Sequence, residues 1–431
     1  MKRVLQLAGL LLLAALSVLL YMSWLAEREP YIPGATVTDT AAQTARGRYL
    51  ALAGNCAACH TERGGAAYAG GRAVRTPFGD IYSSNLTPDA KTGLGAWSAD
   101  DFWRALHHGK SKDGRRLYPA FPYPNYTKAN RADADALFAY LRTLAPVSRP
   151  NREHTLRAPY DQPLLLAAWR ALYFRPGAYE PDPGKDAQWN RGAYLVQGLG
   201  HCNACHTSRD PLGGSNLKED LAGGLIPVLN WYAPALAGER QANAGQGQAN
   251  AGGPDHLARL LKTGVSEKGA AYGPMAEVVY ASLQHLSDAD IQAMAGYLQS
   301  LPPAPEPAAP PAVNPVEMMR VMDAGAKLYA KHCADCHGAE GAGRAPAYPP
   351  LAGNRNLARP SAVNPIRLVL NGGYPPGTAG NPRPYGMPPF RLVLSNDEVA
   401  AVLTYARNSW GNQGGPVSST DVTRYAAVPL D

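Results

Sequence analysis

The sequence predicts an all-α chain of three tandem units behind an N-terminal apolar helix. Two observations carry this. The pentapeptide C-x-x-C-H occurs three times and uses every cysteine of the 431-residue chain. Each copy follows a short helical pattern, and each unit closes on a second, amphipathic one.

The leader comes first. Residues 4–26, VLQLAGLLLLAALSVLLYMSWLA, carry no charge; Lys2 and Arg3 precede them, and Glu27, Arg28 and Glu29 follow. Such a run is long enough to cross a bilayer as a helix. Ser23-Trp24-Leu25-Ala26 makes a poor cleavage site, so residues 1–30 read as an uncleaved signal anchor, with a signal peptide as the alternative. In both cases the positive end stays in the cytoplasm and the remainder is exported.

The six cysteines give the chemistry. Cys56-Ala57-Ala58-Cys59-His60, Cys202-Asn203-Ala204-Cys205-His206 and Cys333-Ala334-Asp335-Cys336-His337 match the attachment motif of c-type haem. In that motif two thiols bind the porphyrin vinyl groups and the histidine ligates iron. A zinc site would need four ligands, but the pairs lie more than a hundred residues apart and no cysteine remains. A thioredoxin-like redox pair does not need the trailing histidine. Three covalently bound haems c are therefore expected. Attachment outside the cytoplasm agrees with the export segment.

The units repeat beyond the motif. Arg46-Gly47-Arg48-Tyr49-Leu50, Arg191-Gly192-Ala193-Tyr194-Leu195 and Gly325-Ala326-Lys327-Leu328-Tyr329 lead into the three attachment turns. RADADALFAYLRTL at 131–144, SDADIQAMAGYLQSL at 287–301 and SNDEVAAVLTYAR at 395–407 begin with polar caps and acids, then run apolar at helical spacing. The domains fall at 40–147, 186–301 and 316–412. Residues 148–185 connect the first two and contain PLLLAAWRALYF, read as a packed helix. Residues 302–315 form a Pro/Ala linker, 413–431 a C-terminal tail, and QANAGQGQANAGG at 241–253 reads as a mobile loop. The net charge of +7 comes with no long basic run, so nucleic acid is not an expected partner.

In c-type electron carriers a methionine sulfur commonly holds the second axial position of iron. Met275 in YGPM and Met387 in PRPYGMPPF lie in Gly/Pro segments ahead of the closing helices, and both are expected to be iron ligands with His206 and His337. Met294, Met318, Met319 and Met322 fall in helical patterns and read as core. The first unit has LYPAFPYP at 117–124, with Phe121 in the corresponding place and no methionine between the leader and Met275. Three readings stay open for the iron beside His60. It is five-coordinate with Phe121 as an apolar wall, or His107, His108 or His154 substitutes, or a partner supplies a ligand. His107 and His108 end a predicted helix, where a solvent-facing or propionate-contacting role is the plain expectation.

The stretches RGRYLALAGNCAACHT, SSNLTPDAKTGLGAWSADDF, DGRRLYPAFPYPNYTK, RGAYLVQGLGHCNACHT and YGMPPF resemble the triple-haem cytochrome c subunit of membrane-bound alcohol and gluconate 2-dehydrogenases. The likeness covers nearly everything after the leader. It implies three tandem c-type cytochrome domains, each with haem between crossing terminal helices. It also implies a partner: a catalytic dehydrogenase subunit carrying flavin, PQQ or molybdopterin, sometimes with a small third subunit. That subunit would oxidise an alcohol, sugar acid or aldehyde, and electrons would go on to ubiquinone or a downstream cytochrome. The expected place is the periplasmic face of the cytoplasmic membrane. Family members usually carry methionine where Phe121 stands; phenylalanine there is similar to relatives accompanying molybdopterin-dependent dehydrogenases, which leaves the partner's cofactor open. No catalytic residue is expected, since no Rossmann glycine pattern, P-loop or placed Ser/His/Asp set is present. The alternatives are an independent anchored cytochrome feeding a terminal oxidase and, more remotely, a peroxide-reducing first haem.

Overall fold

The computed structural model describes residues 40–426 except 238–254, 305–312, 346 and 360, together with scattered positions between 3 and 21. The apolar run at 4–26 and the 241–253 segment therefore lie largely or wholly outside the described residues, as does most of the 302–315 linker. Among the described residues no helix is long and apolar enough to cross a membrane.

The chain divides into two compact units. The first comprises residues 1–186, 193–204 and 209–215; the second comprises 187–192, 205–208 and 216–431.

In the first unit, helix α1 (Ala41–Ala53) runs into the attachment turn α2 (Cys56–His60). Strands β1 (Ala73–Thr76) and β2 (Gly79–Tyr82) form an antiparallel hairpin, and a short β3 (Thr155–Leu156) pairs with β2. Helix α3 (Ala99–His108) starts with a capping box in which Ser98 and Asp101 satisfy each other's backbone N–H groups. A single turn, α4 (Tyr123–Tyr126), precedes the closing helix α5 (Arg131–Arg142). The connecting segment contains α6 (Pro163–Tyr173), as its apolar pattern predicts. Leu166, Ala167 and Ala171 of α6 are buried, while Leu164 and Leu172 face outward.

Helix α7 (Ala187–Gln197) leads into the second attachment turn, α8 (Asn203–His206). The second unit then holds the β4–β5 hairpin (Gly224–Ile226 and Trp231–Ala233), α9 (Asp255–Thr263) and the small β6–β7 pair (Val265–Ser266 and Gly269–Ala270). Helices α10 (Pro274–Ala281) and α11 (Asp288–Ser300) follow. Helix α12 (Pro315–His332) is longer than its counterparts and enters the third turn, α13 (Ala334–His337). Four more helices complete the unit: α14 (Arg355–Ala358), α15 (Val363–Asn371), α16 (Asn396–Asn408) and α17 (Ser419–Ala426).

One packing device recurs three times. The helix before each attachment turn crosses the closing helix at a glycine. A Cβ on Gly47 would lie 1.8 Å from the Ala136 carbonyl oxygen, one on Gly192 2.0 Å from that of Ala293, and one on Gly325 2.3 Å from that of Ala401. Tyr140, Tyr297 and Tyr405, each four residues after that alanine, border the same three glycines. In the first two crossings the arginine before the glycine grips the closing helix's first turn. Arg46 Nε donates to Asp133 at 2.6 Å, and Arg191 makes two bonds to Asp290, at 2.8 and 2.7 Å. The third crossing has Ala324 at the arginine's position and relies on the Ser395–Glu398 capping box.

Candidate haem-attachment sites

Each attachment turn places its histidine alike. His60 Nδ1 lies 2.7 Å from the Ser84 carbonyl oxygen, His206 Nδ1 2.6 Å from that of Pro234, and His337 Nδ1 2.9 Å from that of Pro349. A carbonyl only accepts, so Nδ1 carries the proton and Nε2 keeps its lone pair. Burial lowers the pKa of all three imidazoles, against the opposing pull of the carbonyls. The neutral ring with a bare Nε2 is the form a metal requires.

The turns are fixed from behind as well. The His60, His206 and His337 carbonyls accept from the Gly70, Gly223 and Gly343 N–H groups at 2.8, 2.7 and 2.8 Å. An arginine guanidinium binds a carbonyl inside each motif: Arg72 to Ala58, Arg209 to Ala204 and Arg344 to Asp335.

None of the six cysteines forms a disulfide, and none is fully buried. Burial, with the neighbouring Cys59, pushes the Cys56 thiol up to about 12; burial, with Cys336, pushes Cys333 to about 11. These groups stay protonated at neutral pH, as addition of S–H across a vinyl group requires. Among the described residues no group of three or more His, Cys, Asp or Glu could hold a metal ion. Paired thiols, an adjacent bare imidazole nitrogen and an apolar cluster at the turn fit covalent haem.

Met387 and Cys333 are both half-buried against one core cluster, with Ile366, Leu370 and Leu403 among its members. Met387 is held by paired backbone hydrogen bonds with Gly373, at 2.8 and 3.0 Å. In the first unit Phe121 and Cys56 share a cluster in the same way, with Leu50, Phe102 and Leu137. Phe121 thus packs against the cluster that takes Cys56, as Met387 packs against the one that takes Cys333. Met275 is half-buried in the first turn of α10, behind Pro274. Proline at that position loses nothing, since its missing N–H has no intrahelical partner.

Comparison with known proteins follows the same lines. The cytochrome c family profile matches residues 44–145 and 322–410. The alcohol dehydrogenase (quinone) cytochrome c subunit of Gluconacetobacter polyoxogenes is 36% identical over 397 residues, covering 88% of this chain and 83% of that protein. The gluconate 2-dehydrogenase cytochrome c subunit of Pantoea cypripedii is 38% identical over 383 residues, covering 85% of each. This chain belongs to the dehydrogenase cytochrome c subunit family. A nicotinate dehydrogenase subunit of Pseudomonas putida is 42% identical over 392 residues, which cover 90% of this chain but only 32% of that longer protein.

Within this dehydrogenase cytochrome c subunit, His107 and His108 depart from the solvent-facing expectation. His107 and His108 are buried, each 5% exposed, rather than facing solvent. The apolar face of α3 continues into its last turn, where His107 stacks on Trp103 at 4.2 Å and meets His108 edge-on at 4.7 Å. His154 Nδ1 accepts from the Tyr82 N–H at 3.2 Å. Met294 is a core residue at 1% exposure, but Met319 is 66% exposed on α12.

The sequence reading missed the three carbonyl acceptors. A faint signal for them exists. Ser84-Asn85-Leu86, Pro234-Ala235-Leu236 and Pro349-Pro350-Leu351 each place a leucine two residues after the acceptor, and the last two continue as Ala-Gly.

Proposed function

We propose that this chain is the electron-transfer subunit of a dehydrogenase complex, with three covalently bound haems c in domains at 40–147, 186–301 and 316–412. The observation that carries this reading is the threefold recurrence of an imidazole with a carbonyl-bound Nδ1 beside paired thiols. Cys56 and Cys59, Cys202 and Cys205, and Cys333 and Cys336 would make the thioether bonds. His60, His206 and His337 would bind iron on one side, with Met275 and Met387 opposite the latter two. Bound haem supplies reversible one-electron transfer at iron, tuned by axial ligation and burial.

The chain's own residues do the rest. The carbonyls of Ser84, Pro234 and Pro349 fix imidazole tautomer and ring plane. The clusters that take Phe121 and Met387 pack an apolar surface against Cys56 and Cys333. The relatives compared above are subunits of dehydrogenases, so a separate catalytic subunit would deliver the electrons. Its donor would be an alcohol, sugar acid or aldehyde, or a ring such as nicotinate, and its cofactor flavin, PQQ or molybdopterin. Ubiquinone or another cytochrome would receive the electrons. The uncharged run at 4–26 supports placement at the periplasmic face of the cytoplasmic membrane.

Purification in mild detergent, followed by mass spectrometry of the co-purifying chains and assay of their cofactors, tests the complex. A large flavin-, quinone- or molybdenum-bearing chain supports it. A solitary chain, or one travelling with an oxidase, turns the reading to an independent anchored cytochrome.

Phe121 sets the first site apart. Its ring neighbours are Tyr126 at 5.3 Å and Tyr123 at 6.4 Å, neither a usual iron ligand in such carriers. Carbon monoxide added to the reduced protein is expected to bind at one of the three haems. Phe121→Met should abolish that binding and raise the lowest reduction potential. A wild-type spectrum indifferent to carbon monoxide means that another group fills the position.

A further inference from the structure

Residues 54–56 and 199–203, which enter the first and second attachment turns, come together inside the first compact unit. The Gly54 carbonyl, two residues before Cys56, accepts a hydrogen bond from Tyr126 Oη at 3.1 Å. The same carbonyl faces the half-buried imidazole of His201, the residue before Cys202. The His201 ring stands edge-on to the Tyr126 ring, 5.6 Å between centroids at 82°. One backbone carbonyl thus carries contacts from both sides of the junction.

The packing around it leaves no slack. Leu199, 1% exposed, belongs to the core cluster that also takes Cys56 and Phe121. A Cβ on Gly54 would lie 3.3 Å from Cys56 Sγ and 3.8 Å from Leu199 Cδ2, and one on Gly200 would lie 3.5 Å from Cys202 Sγ. Asn125 Nδ2 donates to the Gln197 carbonyl at 2.8 Å and to Asn203 Oδ1, inside the second motif, at 2.7 Å.

The backbone is strained at matching points. Asn55, just before Cys56, has φ 49°, and His201, just before Cys202, has φ 37°. Left-handed backbone at a non-glycine residue is unfavourable and persists only where the surroundings enforce it. Attaching a haem does not demand this, because His332, the residue just before Cys333, ends helix α12 without a positive φ. The strain belongs to the pair of turns that touch.

We propose that Tyr126 and His201, joined at the Gly54 carbonyl, are positioning residues that lock the Cys56 and Cys202 attachment points together and hold the first two haems as one electronically coupled pair. The proposal rests on the three-haem reading above. Exchange within the pair moves one electron, oxidising one iron as the other is reduced, and needs no proton or bond change at the junction. Gln197, Leu199 and Asn203 keep the two turns in register during that exchange.

Circular dichroism in the Soret region of the full-length holoprotein tests this, alongside a haem count. Haems held close in fixed orientation give a band with two lobes of opposite sign, whereas isolated haems give a single lobe. The wild type should show the two-lobed band. His201→Gly combined with Tyr126→Phe keeps the positive φ but removes the ring and the hydroxyl. It should at least halve the amplitude at unchanged haem content, and an unchanged amplitude overturns the junction. Should that variant lose haem, Asn125→Ala is read the same way: a halved amplitude supports the proposal and an unchanged one overturns it. A wild type with three haems and a single-lobed band also overturns it. A wild-type count below three instead fails the reading on which the proposal stands.

Discussion

Replacing Met387 with alanine will lower the highest reduction potentials of the protein by on the order of 0.1 V, a fraction of the roughly 0.8 V span that axial ligation commands. A thioether is a soft, neutral donor that favours ferrous over ferric iron. Water, the natural replacement, is a harder ligand and shifts the balance toward ferric. The structure makes Met387 suited to the task because its backbone cannot wander. Its N–H and carbonyl are both bonded to Gly373, and its side chain packs on the cluster that receives Cys333. Met275→Ala should act in the same direction at the second site. Met319, 66% exposed on α12, is the control, and Met319→Ala should leave the potentials unmoved. A spectroelectrochemical titration of the three variants decides the matter. If Met387→Ala leaves the ladder of potentials untouched, Met387 is core packing and not a ligand.

What could be read from the sequence depended on whether a side chain carried the function. Thiols and imidazoles cannot be replaced by other residue types, so the three motifs stood out, and their regular surroundings made the repeat visible. The closing helices were legible because a cap, acidic first-turn residues and apolar spacing act together, as at Ser395, Glu398 and Val399. The carbonyls of Ser84, Pro234 and Pro349 were not legible, because any residue offers a backbone oxygen. The solvent-facing limb of the expectation for His107 and His108 failed for a different reason. Polar type suggested solvent, but the face shared with Phe102, Trp103 and Leu106 continues through them. His201 escaped notice because its role depends on Tyr126 and Gly54, both far away in sequence. Residue type predicts chemistry; it does not predict which distant backbone atom will lie beside it.

Alanine at Gly47, Gly192 or Gly325 will destabilise the holoprotein, although alanine is the better helix former. In an exposed helix interior the exchange stabilises by roughly 1 kcal/mol. At the crossings the new methyl carbon would stand 1.8, 2.0 or 2.3 Å from a carbonyl oxygen of the facing helix. That oxygen belongs to the backbone and cannot rotate aside, so the two helices must part. Overpacking of a tight contact typically costs about 1–3 kcal/mol, which exceeds the propensity gain. Gly296 provides the contrast within one helix, α11, because a Cβ there meets nothing within 4 Å. Thermal unfolding of the holoprotein should therefore show Gly296→Ala neutral or stabilised and the three crossing variants lowered. A crossing variant should also hold haem less completely, because the helix that parts is the one leading into the attachment turn. Gly47→Ala is the sharpest case, since α1 both crosses α5 and delivers Gly54 and Cys56 to their partners. Should it shift stability in the same direction as Gly296→Ala, close helix approach is not what these glycines provide.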